Sequence, residues 1–182
     1  MASDLVNVYL VLWLSKFVDD GLLANQDSAK SIFEEIILYS GLLLVCALPL
    51  IGWAADTLPP RYTLLGSFIL RAGLWGLVPN AQNPNGTMIR VLVPAIYLAT
   101  ASQLVALDIV FFWNQPKNLR GALNGTRQLF SNFGTVFFIY FAGYQFDHVD
   151  KNAPFYICGT ADLVFGLAVA LMICKGLFTL EE

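Results

Sequence analysis

Four charged residues lie inside long apolar stretches of the chain: Lys16, Arg71, Asp108 and Asp162. Ionisable side chains within membrane-spanning segments face protein or water, where they mark ion pairs or a path for a polar solute. Both interpretations stay open here. Counting depth at roughly 1.5 Å per residue gives two candidate pairs, Arg71 with Asp108 and Lys16 with Asp162.

Neutral polar residues in these segments allow the same two interpretations, contacts between helices or a path for a polar solute. Gln103, Gln128 and Asn132 lie in the fourth and fifth apolar segments, and Gly121 and Gly125 have the spacing that lets two membrane helices approach closely. We expect a polar face on the first, fourth and fifth helices that a partner covers, with Arg71 satisfied inside the chain. The candidate residues for interhelix contacts or a solute path are Lys16, Arg71, Gln103, Asp108, Asn132 and Asp162.

Residue patterns for other chemistry are absent from the sequence. His148 is the single histidine, no HExxH or P-loop motif occurs, and Cys46, Cys158 and Cys174 lie far apart. We therefore expect no enzymatic activity, no metal site and no cofactor. The sequence also has no basic cluster of the kind that binds nucleic acid.

The composition places these residues in a membrane protein. Of 182 residues 57% are hydrophobic and 13% are charged, against about 25% charged residues in soluble domains. A span needs roughly 20 apolar residues, and six segments qualify: about 5–23, 34–55, 62–79, 88–113, 121–143 and 154–175. The prediction is an all-α integral membrane protein with six transmembrane helices in one domain, residues 1–182. The first span lacks signal-peptide features, so we expect it to be retained.

The basic residues between the segments predict the orientation. Arg61, Lys117 and Arg120 lie on one side of the predicted bundle, whereas Lys30 and Lys151 lie on the other among several aspartates. Basic residues favour the inner side of a membrane, which places both termini inside. The membrane itself stays open: a plasma membrane or an organelle membrane, including the mitochondrial inner membrane.

The connection between the second and third segments, GWAADTLPPR at 52–61, carries charge between two apolar runs. Gly52, Asp56 and Arg61 resemble the signature loop of the major facilitator superfamily of transporters, although Thr57 and the two prolines depart from its pattern. The fifth segment, RGALNGTRQLFSNFGTVFFIYFAGYQFD, resembles the fifth helix of each half in that family. The resemblance implies a single six-helix half of such a transporter.

The resemblance also implies a function and a conformational lock. The chain would pair with another half to move a small solute across a membrane, and Asp56 would meet the start of the fifth helix at Arg120 or Gly121. The alternative is a structural accessory subunit of a larger membrane complex, without transport activity. The expected partners are the lipid bilayer together with a second half, an identical copy or a larger membrane complex.

Overall fold

Six α-helices form the part of the chain that the computed structural model describes, residues 2–81, 83–84, 86–113 and 116–176. No strand occurs within these ranges, so the prediction of an all-helical fold is confirmed. Short 3-10 turns lie at Val78–Asn80 and Lys117–Leu119. The helices are α1 (Ala2–Asp19), α2 (Gln26–Thr57), α3 (Pro60–Leu77), α4 (Thr87–Trp113), α5 (Arg120–His148) and α6 (Ala153–Cys174).

The first two helices begin and end at different residues from those predicted. Helix α1 ends at Asp19, and Gly21 then turns the chain with a φ of 73°, a conformation that glycine adopts at little cost. Helix α2 starts eight residues before the predicted span, because Asn25 caps it by accepting a hydrogen bond from the Ser28 backbone at 2.8 Å. The cap lies in a polar stretch, and a search for runs of apolar residues therefore places the start of the helix too late.

Three of the helices, α2, α4 and α6, are long and apolar enough to cross a membrane. Helix α2 leaves large apolar side chains uncovered, with Leu38, Val45 and Leu50 between 61% and 69% exposed. Soluble proteins rarely leave such continuous apolar surfaces in water. The chain is therefore a membrane protein, whereas six membrane spans remain a proposal.

The bundle has two ends that its polar contacts identify. Trp13 Nε1 donates a hydrogen bond to Asn152 Oδ1 at 3.1 Å, and Arg90 pairs with Glu35 at 2.9 Å. These contacts bring the end of α1 and the starts of α2, α4 and α6 together at what we call the α1–α2 end. The α2–α3 end is opposite, where α2 meets α3 and the last turn of α4 lies near α5.

The closest helix packing is between α3 and α6. A Cβ atom built on Gly159 would lie 3.3 Å from Trp75 Cβ and 3.4 Å from the Ala72 carbonyl oxygen. A Cβ on Gly166 would lie 3.3 Å from Phe68 Cβ. Small residues at such interfaces allow the backbones to approach closely, and α3 and α6 therefore form the rigid part of the bundle.

We expect Gly159→Ala to destabilise the protein by about 1–2 kcal/mol, because its methyl group would lie only 3.3 Å from the Trp75 Cβ on α3. Gly52→Ala is the matched control, since a Cβ there meets no atom within 4 Å. Reversible unfolding in mixed micelles measures both variants. Equal stability of the two variants would contradict the close packing of α3 on α6.

Candidate functional site

The Arg71 side chain forms its ion pair with Asp162, not with Asp108. Arg71 Nε donates to Asp162 Oδ2 at 2.6 Å, and a second guanidinium nitrogen contacts Oδ1. Asp162 is 2% exposed in its side chain and Arg71 14%. The predicted pairs Arg71–Asp108 and Lys16–Asp162 are thus wrong, because depth along a helix does not determine which face a side chain occupies. Arg71 nevertheless has its partner inside the chain.

The other two charges also have different neighbours from those predicted. Asp108 pairs with Arg127 of α5 at 2.6 Å, and the Arg127 guanidinium lies 4.8 Å from the centre of the Phe111 ring. The Lys16 ammonium lies 5.8 Å from the centre of the Phe146 ring. Asp108 and Arg127 are 48% and 35% exposed, so the bundle does not enclose the pair. The pair links α4 to α5 near the α2–α3 end.

Gln103 faces the interior of the bundle rather than a partner surface. It is 3% exposed, and its Oε1 atom has no hydrogen-bond partner within the described residues. One turn earlier on α4, Thr100 is 5% exposed with an equally unpartnered hydroxyl oxygen. A buried carbonyl oxygen without a partner is costly, so α4 carries two polar atoms with unused hydrogen-bonding capacity.

Helix α5 has two faces of opposite chemistry. At roughly 100° per residue, its small and amide residues lie within about 60° of Phe146, which with Ala142 makes up the described α5 residues that the bundle buries. This inner face consists of Gly121, Gly125, Gln128 and Asn132. The outer face is aromatic and strongly exposed, and it consists of Phe130, Phe133, Phe137, Tyr140, Phe141 and Tyr144.

The inner face of α5 meets the bundle in its second half and stands away from it in its first half. A Cβ on Gly143 would lie 3.7 Å from the Tyr9 hydroxyl, whereas a Cβ on Gly121 or Gly125 would meet no atom within 4 Å. Gln128 Nε2 donates to Asn132 Oδ1 at 3.1 Å, and both residues are exposed. The space before these four inner-face residues, bordered by the Asp108–Arg127 pair, is called the α5 cleft below.

The 52–61 segment does not form the predicted lock. Helix α2 continues through Gly52, where a side chain would meet open space. Asp56 is exposed, and neither it nor Arg120 takes part in an ion pair among the described residues. Arg61 stacks on its neighbour Tyr62, with the guanidinium 4.9 Å from the ring centre.

A surface depression of about 540 Å³ lies at the α1–α2 end. It is lined by polar groups from the starts of α2 and α4, including Ser28, Ser31 and the Glu35–Arg90 pair. None of the predicted site residues lines it. The depression is wide and open to the surface.

Comparison with known proteins identifies relatives of low identity. The chain is 26% identical over 175 residues to the magnetosome protein MamH of Paramagnetospirillum magneticum, covering 95% of this chain and 40% of the relative. It is 27% identical over 95 residues to the magnetosome protein MamZ of the same species and of Magnetospirillum gryphiswaldense, covering 52% of this chain and 15% of each relative. The chain thus spans less than half the length of these relatives. No solved structure matches it.

The predicted membership of the major facilitator superfamily is wrong. No family model matches the chain, and the relatives that do match carry a different description. The interpretation rested on the residues around Gly52 and Asp56, where the proline pair replaces the expected basic cluster, and on the pattern of the fifth segment. A glycine and an aspartate four residues apart near a helix end recur by chance in membrane proteins, so they do not identify a family.

Sequence reasoning missed Arg127 as a site residue. It lies seven residues into α5, but it is absent from the charged residues that were predicted to lie within the spans. The signal was available, because the inner-face glycines and amides repeat at helical spacing opposite the aromatic residues. Arg127 lies between the inner and outer faces of α5, about 100° from Gln128 around the helix, and its guanidinium reaches Asp108 of α4.

Proposed function

We propose that the chain is a single-domain membrane module, residues 1–182, whose six helices all cross the bilayer and whose α5 cleft lines part of a path for a small polar solute. The module acts without catalysis. The observation that carries the proposal is the inner face of α5, where amides, glycines and a half-exposed ion pair border open space. Groups of this kind can replace part of the hydration of a polar solute.

The path is proposed to need a second bundle. The module supplies one wall, because the inner face of α5 and the charges beside it lie on one side of a single bundle. The match to MamH covers 40% of that relative, so the relative has enough additional chain for another bundle of this size. We propose that a second bundle takes the corresponding place beside this module.

The alternative function is an accessory subunit of a larger membrane assembly. It is favoured by the internal pairing of the charged residues, since Arg71 and Asp108 both find partners within the chain. A module whose charges are already satisfied is stable without conducting anything. The relatives are described as magnetosome proteins, and membership of a membrane assembly would suit that description equally.

A swelling assay separates the two functions. The protein is purified from its native membrane with the subunits that stay bound, and is reconstituted into liposomes. Stopped-flow light scattering then records the entry of glycerol, of a monovalent cation and of a carboxylate anion. Transport predicts entry of at least one solute faster than in protein-free liposomes, and slower entry with Asn132→Leu. Entry at the protein-free rate for all three probes would favour the accessory subunit.

We also propose that both termini and the 58–59 connection lie on the inner side of the membrane. Thr57→Cys and Ala24→Cys place a thiol at exposed positions on opposite ends of the bundle. In sealed vesicles of one orientation, an impermeant thiol reagent added outside is expected to label position 24 and not position 57. Labelling of both positions from the same side would contradict the topology.

A further inference from the structure

We propose that the Arg127–Asp108 ion pair is a releasable latch, which holds the first half of α5 against α4 and sets the width of the α5 cleft. The inference rests on the proposed solute path, because it assigns the control of access to that path. The inference depends on a contrast in packing between the first and second halves of α5.

The second half of α5 is anchored in the bundle. Ala142 is 1% exposed and Phe146 is 7% exposed. Tyr9 of α1 donates a hydrogen bond to the Ile139 carbonyl oxygen at 2.6 Å and also approaches Gly143. Among the other α-helices, α6 is the one against which α5 packs most. This half therefore moves with the bundle.

The first half of α5 has almost no packing to hold it. None of its described residues before Ala142 is buried, and Gly121 and Gly125 face open space. Among the described residues, the side-chain contacts that tie it to α4 include the Arg127–Asp108 pair and the guanidinium of Arg127 over the Phe111 ring. The position of this half consequently depends on one residue, Arg127.

The strength of the pair suits a latch rather than a permanent contact. Half-exposed ion pairs contribute little net stability, and salt weakens them further. The buried Arg71–Asp162 pair provides the contrast, because it lies between the closely packed helices α3 and α6. Thermal motion can thus open the Arg127–Asp108 pair while the Arg71–Asp162 pair keeps the bundle intact. A polar solute that binds in the widened cleft would favour the open state.

The distance between α4 and α5 tests the latch directly. Spin labels are placed at the exposed positions Leu104 and Leu129, in a background where serine replaces Cys46, Cys158 and Cys174. Double electron–electron resonance in lipid nanodiscs gives the distance distribution. We expect Arg127→Gln and Asp108→Asn each to add a population at longer separation, by several ångströms. An unchanged distribution in both variants would overturn the proposal.

Two further variants make the result specific. The exchange of both charges, Arg127→Asp with Asp108→Arg, is expected to restore the narrow distribution, and a distribution as broad as in the single variants would overturn a pairwise latch. Glu35→Gln breaks a similarly exposed ion pair at the other end of the bundle and should leave the distance unchanged. The measurement needs no solute, so the latch can be confirmed even if the swelling assay finds no transport.

Discussion

Asp162→Asn is expected to destabilise the bundle by about 3–5 kcal/mol, the cost of leaving a buried charge without its partner. The Asp162 side chain is 2% exposed and the Arg71 guanidinium contacts both of its oxygens. An amide cannot neutralise that guanidinium, and α6 lies too close to α3 at Gly159 and Gly166 for water to replace the carboxylate. Reversible unfolding in mixed micelles measures the loss.

Two controls show whether the loss comes from the unpaired charge. The double variant Arg71→Met with Asp162→Leu removes both charges and should recover much of the stability, because apolar residues of similar volume can replace a buried ion pair. Asp108→Asn breaks the half-exposed pair with Arg127 and should cost no more than about 1 kcal/mol. Equal losses for Asp162→Asn and Asp108→Asn would contradict the structural role of the buried pair.

Trp13→Ala is expected to cost about 3–5 kcal/mol, as large-to-small substitutions of buried aromatic residues do. Trp13 is 1% exposed and its ring packs edge-on against Phe17 at 4.5 Å and Phe155 at 5.8 Å. The substitution also removes the hydrogen bond from the indole to Asn152. A cavity there would separate α1 from the start of α6.

Trp53→Ala is the matched control for this prediction. Trp53 is 67% exposed on α2, where lipid can fill the space that the ring leaves. We expect a change within about 0.5 kcal/mol, as for surface substitutions in general. Unfolding in the same micelles compares the two tryptophans. A loss at Trp53 as large as at Trp13 would mean that the α2 surface packs against protein.

The sequence predicted the helices well and their neighbours poorly. Long apolar runs and turn-forming residues identify six helices, because these signals are local. The partners of Arg71 and Lys16 could not be predicted in the same way, since they depend on the rotation of each helix about its axis. Asp162 lies on the face of α6 that carries Gly159 and Gly166. This close α3–α6 contact decides which carboxylate Arg71 reaches.

The α5 cleft was predictable in part. Gln128 and Asn132 were recognised as polar groups within a span, and Gly121 and Gly125 as residues that permit close approach. The structure instead leaves open space beside both glycines. Helical spacing predicts that these residues share a face, but whether another helix fills the space before that face depends on tertiary packing. The contact between Arg127 and Asp108 likewise depends on how α5 leans towards α4.

The central claim is that the inner face of α5 meets water while its outer face meets lipid. Asn132→Cys and Phe133→Cys test it directly, because position 132 is exposed on the inner face and position 133 on the outer face, about 100° apart around one helix. In a cysteine-free background reconstituted into liposomes, a charged, membrane-impermeant thiol reagent is supplied on both sides of the membrane. We predict labelling at position 132 at least about tenfold faster than at position 133, since the thiolate that reacts forms in water and not in lipid. Equal protection of both positions, or faster labelling at position 133, would contradict the account.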